Sequence, residues 1–249
     1  MLATIVNCIA VIAGSFIGIL FSRKISDEIS DVITSAAGVV TLIIGFQMAF
    51  QTVNIIYMAL SLITGGILGS WWDIDGKILS LGRFLERRFG PKSKLTAVFP
   101  ESGPPVSSRF AFAFLNSSVL FCVGAMAIVG SFKAGTEGDF TILYTKSVLD
   151  GFLAIVFGAA MGVGTAFSAL SILIYQGLLT LASGFIKPWV SQRMIAELTG
   201  LGGAFIIMIG INLLNLRKLK TANYLPALIV IVGLVLLDPY IARIATLFI

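Results

Sequence analysis

"TKSVLDGFLAIVFGAAMGVG" (145–164) is apolar along nearly all its length, yet it holds Asp150 and, four residues earlier, Lys146. A helix of about 20 apolar residues crosses the roughly 30 Å of a bilayer's hydrocarbon. The segment is therefore expected to span a membrane. A carboxylate near the middle of such a span costs roughly 2.5–3.5 kcal/mol on insertion scales unless it finds a partner or water. Lys146, one helical turn away on the same face, is a partner at the i, i+4 spacing.

The rest of the chain fits that reading. Of 249 residues, 57% are hydrophobic and 12% charged, with a mean hydropathy of +1.02. A soluble domain carries roughly twice that share of charge, about 25%. The sequence predicts an all-α polytopic transmembrane helix bundle forming a single membrane domain over 1–249, with no soluble enzyme domain attached. About eight spans are expected, near 2–22, 32–51, 53–71, 110–132, 140–164, 166–185, 194–215 and 224–246. Seven is the alternative count, because the third and sixth follow very short loops. The last span either continues or stops at Asp238-Pro239.

The first span has no basic region before it, and Arg23 and Lys24 follow it, so it does not read as a cleaved signal. Cys8 and Cys122 are the only cysteines, and both fall in spans. Neither a disulfide nor a metal site is expected, and no cofactor.

Lysine and arginine placement gives an orientation. With the N-terminus outside, the inner loops hold Arg23, Lys24, Lys77, Arg83, Arg87, Arg88, Lys92, Lys94, Arg109, Arg217, Lys218 and Lys220, twelve of the seventeen. The net charge of +5 is then an orientation signal and not a nucleic-acid surface. The one long polar loop, 73–107, is expected to be cytoplasmic. Its "DGKILSLGRFLERRFG" sets Ile78, Leu81, Leu85 and Phe89 on one helical face and Arg83, Glu86, Arg87 and Arg88 opposite. That pattern reads as an amphipathic helix at the membrane surface, either a plain connector or a lipid-sensing element.

An internal likeness is also present. "GVVTLIIGFQM" (38–48) and "GAFIIMIGINL" (203–213) share both glycines and an isoleucine, and each has an amide two residues after its second glycine. "TVN" (52–54) and "TAN" (221–223) extend the likeness. Spans 1–3 would then repeat as spans 6–8, in inverted orientation under the charge-derived topology. Inverted repeats are characteristic of secondary transporters, with the site at the repeat interface near the midplane.

Asp150 is the only acid read as lying well inside a span. The candidate substrate or ion site comprises Asp150, Lys146, Asn116, Ser117, Ser118, Gln176 and Asn7. Asn116 opens "NSS" (116–118), three polar side chains within one turn. Each amide alone is equally readable as an interhelical hydrogen bond. Asn54 and Asn223 stand where they can cap helices, and Asp139 is a candidate cap for the fifth span. "GSFIG" (14–18) and "GAAMG" (158–162) read as small faces for close helix contact. Gly151 either loosens the helix beside Asp150 or packs. The chain has no histidine, which removes histidine-dependent triads and HExxH metal sites, and no enzyme is expected.

"NCIAVIAGSFIG" (7–18), "VLFCVGAMAIVGS" (119–131), "GDFTILYTKSVLDGF" (138–152) and "NYLPALIV" (223–230) resemble the YqgA/YdfK-like family of bacterial inner-membrane proteins. The resemblance implies a multi-pass protein of the bacterial cytoplasmic membrane and supplies no substrate. The chemistry favours a transporter of a small solute or ion with a central polar site around Asp150. Rival readings are a non-transporting structural or regulatory membrane subunit, and a channel or scramblase. Expected partners are membrane lipid and the small solute or ion, with no nucleic acid. A homo-oligomer is open.

Overall fold

A computed structural model describes residues 1–22, 26–78, 80, 84 and 106–245, and all the elements so described are helical. The principal helices are α1 (Leu2–Ser22), α2 (Asp27–Ala49), α3 (Ile55–Trp71), α4 (Val106–Cys122), α5 (Ala125–Thr136), α6 (Thr141–Met161), α7 (Gly164–Leu181), α8 (Gln192–Leu213) and α9 (Ala227–Ala245). Six helical segments are long and apolar enough to cross a membrane. The α4–α5 pair passes the same test jointly, and α3 is a shorter apolar helix of 17 residues. The sum is compatible with seven or eight crossings. Most of the amphipathic helix expected over 75–90, and residues 91–105 of the same loop, lie outside the described residues.

Two details differ from the sequence expectation. The fourth span is not one helix: α4 and α5 meet at Val123-Gly124 with a bend of 59°. The fourth helix also begins at Val106, just inside the polar loop expected over 73–107. The ninth helix continues past Pro239 to Ala245.

Glycine sets the closest helix contacts. A Cβ at Gly14 would strike the backbone of Gly151, and one at Gly18 that of Ile155 and Ala159. Contacts along α1 and α6 advance in the same direction, so the two run parallel. Gly158 lies on Ser15 in the same seam, whereas Gly162 has φ 87° and closes α6 into the turn before α7. The helix is unbroken through Gly151, which packs beside Ala10.

α2 and α8 pack antiparallel through four glycines. Gly45 lies against Ile207, and a Cβ there would stand 3.1 Å from the Gly203 carbonyl oxygen. Gly210 lies against Leu42, and a Cβ there would stand 3.1 Å from the Gly38 carbonyl oxygen. Gly203 meets the backbone nitrogen of Ala49, and Gly38 that of Leu214. α3 and α9 are also antiparallel, with Gly65 on Ala227 and Gly69 on Asn223 just before α9. α1 and α7 form a third antiparallel pair, since Met1 reaches Gly177 while Cys8 Sγ donates to the Ala169 carbonyl at 3.3 Å.

The apolar interior is built from Val11, Phe121, Phe157, Ile172, Leu201, Phe205, Ile206, Ile209 and Ile231, drawn from six helices. Large side chains such as Ile9, Phe21, Phe50, Ile63, Phe152 and Leu178 point outward, as a lipid-facing surface requires.

Asn54 caps α3, its Oδ1 accepting from the Ile56 N–H at 3.0 Å. Asn223 does not cap α9: its Oδ1 accepts from the Asp75 N–H at 2.9 Å. Asp139 Oδ1 accepts from the Thr141 N–H at 3.0 Å, although Phe140 is the formal cap. That backbone donor, helped by Lys133, holds the Asp139 carboxyl below the usual carboxylate range.

Candidate functional site

Asp150 is the tenth of the 21 residues of α6 and is 6% exposed. Lys146, also 6% exposed, donates from Nζ to Asp150 Oδ2, closing the expected i, i+4 ion pair inside the bundle. Removing two charges from water is costly, so the pair holds only if other dipoles support it.

Those dipoles come from α1 and α7. Asn7 Nδ2 donates to Asp150 Oδ2 at 2.9 Å and lies 3.2 Å from Gln176 Oε1. Gln176 Nε2 in turn donates to Thr4 Oγ1 at 3.3 Å. Three helices are thus tied by one buried chain, Lys146–Asp150–Asn7–Gln176–Thr4. It forms because Thr4 and Asn7 face α6 and α7 from one side of α1, and the glycine seam lets α1 approach α6 closely. Thr180 Oγ1 and Ser131 Oγ both reach the Gln176 carbonyl, which adds α5 to the cluster. Cys122, the last residue of α4, lies within Coulombic reach of both Lys146 and Asp150.

Of the residues singled out from sequence, Asp150, Lys146, Asn7 and Gln176 come together. Ser118 instead exchanges a 2.8 Å hydrogen bond with Ser171 on α7. Asn116 and Ser117 are buried on α4, and Asn116 Nδ2, Asn116 Oδ1 and Ser117 Oγ have no hydrogen-bond partner. Asn7 Oδ1 and Ser15 Oγ share that condition. Buried polar atoms are rarely left so, because each forgone bond costs about 1–3 kcal/mol.

A second polar centre was not anticipated. Glu197 on α8 is fully buried, and its Oε2 accepts from the Thr52 hydroxyl while Oε1 accepts from the Asn54 N–H at 2.7 Å. This carboxylate fastens the α2–α3 turn to α8, where Gly200 gives Thr52 room. Glu197 lies near the start of its span, which is why the spacing directed attention to Asp150 alone. Close by, Arg193 grips Asp238, with Nη2 to Oδ1 at 3.1 Å, while Tyr57 donates to Asp238 and lies beneath the guanidinium. These contacts hold α3, α8 and α9 together at one end. Among the described residues no group of three metal-ligating side chains occurs.

The fold and its interior polar chain define a multi-spanning α-helical membrane protein with a buried charged centre. The chain belongs to the family described as "Protein of unknown function (DUF554)", whose model matches residues 2–236. It is similar to the "Uncharacterized membrane protein YdfK" of Bacillus subtilis (strain 168), 32% identical over 92% of this chain and 93% of the relative. It is also similar to the "Uncharacterized protein YqgA" of Escherichia coli (strain K12), 26% identical over 90% of this chain and 92% of the relative. No solved structure matches.

Proposed function

We propose that this protein transports a small solute or ion across the bacterial cytoplasmic membrane, using a central site built on Asp150 and Lys146. The observation that carries the reading is the buried chain linking that ion pair to Asn7 and Gln176. It lies at mid-helix on α6, in a bundle whose α4–α5 span is interrupted by a bend. Interrupted helices and midplane ionisable groups are where transporters place their ligands.

The packing supports an inverted repeat of α1–α3 and α7–α9. The three repeat-related pairs, α1/α7, α2/α8 and α3/α9, are neighbours and antiparallel. At the α2/α8 seam the contacts exchange with one another under the repeat. Gly45 on Ile207 corresponds to Gly210 on Leu42, and Gly38 on Leu214 to Gly203 on Ala49. An approximate two-fold axis in the membrane plane accounts for that reciprocity. The Asp150 site would then lie against the first and last members of the interface, α1 and α7. The orientation we favour has the N-terminus outside.

A structural role for the same residues is the second reading, and one feature favours it: Lys146 already neutralises Asp150. A ligand-induced thermal-stability screen of small cations, amines and organic acids separates the two. Transport predicts that at least one class stabilises the wild type and that the charge-free double variant Asp150→Asn/Lys146→Met removes the effect while the protein still folds. Identical ligand stabilisation in the double variant, or none in either protein, would leave the pair as packing.

A further inference from the structure

We propose that the site takes one monovalent anion together with one proton, the proton on Asp150 and the anion on Lys146. This rests on the transport reading above and names its substrate class.

The argument begins with charge. The site holds one ammonium and one carboxylate in direct contact, for a net charge of zero. A simple cation would have to compete with an ammonium already seated on Oδ2, and would leave the buried site positive. An anion alone would leave it negative. Either state carries the desolvation cost of an unpaired buried ion. If Asp150 takes up a proton, its hold on Lys146 weakens and the ammonium needs a new counter-ion. A monovalent anion at Lys146 Nζ then restores neutrality. Empty and fully loaded sites are both neutral, and both half-loaded sites are charged. Low-dielectric burial therefore couples the two ligands one to one.

The hydrogen-bond chain is suited to both protonation states. With Asp150 ionised, the Asn7 amide donates both to it and to Gln176, and the Gln176 amide donates onward to Thr4. A protonated Asp150 must donate. Asn7 Oδ1 is buried and has no partner. Turning the Asn7 amide over places that oxygen where it accepts the Asp150 proton. The Gln176 amide turned likewise donates to Asn7 and accepts from the Thr4 hydroxyl, which can serve as donor or acceptor. Every link is kept with its direction reversed. Around Asp150, the groups able to charge are Lys146 on its own helix, Cys8 on α1, which is bonded to the Ala169 carbonyl, and Cys122 on α4. α7 contributes the uncharged Gln176. Within the described part of the α2 span, 31–49, Asp31 at one end is the only ionisable residue.

The test is thermal unfolding of the purified full chain in detergent, at about pH 5 and about pH 8. Sodium gluconate is exchanged for sodium chloride, nitrate or formate at constant ionic strength. At about tenfold saturation a ligand raises Tm by roughly 3–5 °C for a chain of this size. We expect that rise in the wild type at the lower pH and its loss at the higher. Asp150→Asn, which cannot ionise, should show the rise at both pH values. The charge-free double variant Asp150→Asn/Lys146→Met should show none while still folding, and it keeps the test informative if a single variant unfolds. A wild type indifferent to anions at the lower pH, or a double variant that responds like it, overturns the anion assignment. Stabilisation by a cation or amine that Asp150→Asn abolishes overturns the anion assignment and leaves the transport reading standing.

Discussion

At the scale of single residues, the ion pair was legible because Lys146 and Asp150 share a helix and a face, a relation fixed by spacing alone. Their partners were not, since nothing local to Asn7 or Gln176 says which helices will be neighbours. The sequence marked both as candidates among many amides, and packing chose them. Glu197 shows the complementary failure: a fully buried carboxylate near a span end was passed over because its partners, Thr52 and the Asn54 N–H, lie in a distant turn. Asn7 is the hinge of the central chain, donating to both Asp150 and Gln176. Asn7→Leu keeps the approximate volume and removes both bonds. It should destabilise by about 1–3 kcal/mol, the range for stranding buried polar partners. Thermal unfolding in detergent measures it, and an unchanged midpoint would show that the chain carries little of the stability.

At the scale of elements, hydropathy located the spans, but the bend in the fourth was missed. Gly124 stands in "FCVGAM" without a polar neighbour, and glycine is common enough in membrane helices that it gave no decisive signal. The small-residue seams were readable as contact faces, though not their partners. Close approach of α2 and α8 depends on the absence of side chains. At both Gly45 and Gly210 an added Cβ would come within 2.8 Å of a neighbour's side chain. Gly45→Ala and Gly210→Ala should therefore destabilise by similar amounts, roughly 1–3 kcal/mol, the usual cost of overpacking. Gly233→Ala on α9, with nothing within 4 Å, is the control and should be neutral or stabilising. A large cost at Gly233 with none at the other two would refute the packing account.

At the scale of the whole molecule, the helix directions and charge distribution make one joint statement. Parallel α1 and α6, and antiparallel α1/α7, α2/α8 and α3/α9, require an even number of crossings between α1 and α7. That number is met when α3 and the α4–α5 pair each cross once. Lys77 and Lys133 then lie on opposite sides of the membrane. Cysteines placed there, in a chain lacking Cys8 and Cys122, should react with an impermeant thiol reagent from opposite faces. Lys133 should react from outside in intact cells. Labelling of both from one face would break the eight-crossing topology.

The central claim is that the middle of this bundle is a site which water and solute reach, and accessibility of position 150 tests it without knowing the substrate. In the cysteine-free chain, Asp150→Cys is compared with Phe152→Cys, whose parent side chain faces outward and is 67% exposed. Both are treated with a charged, membrane-impermeant thiol reagent applied to each face in turn. The account predicts modification at position 150 from at least one face, and none at position 152, where lipid surrounds the thiol. Inert thiols at both positions, in a protein that is folded and inserted, would contradict it and leave Asp150 and Lys146 as the dry brace between α1, α6 and α7.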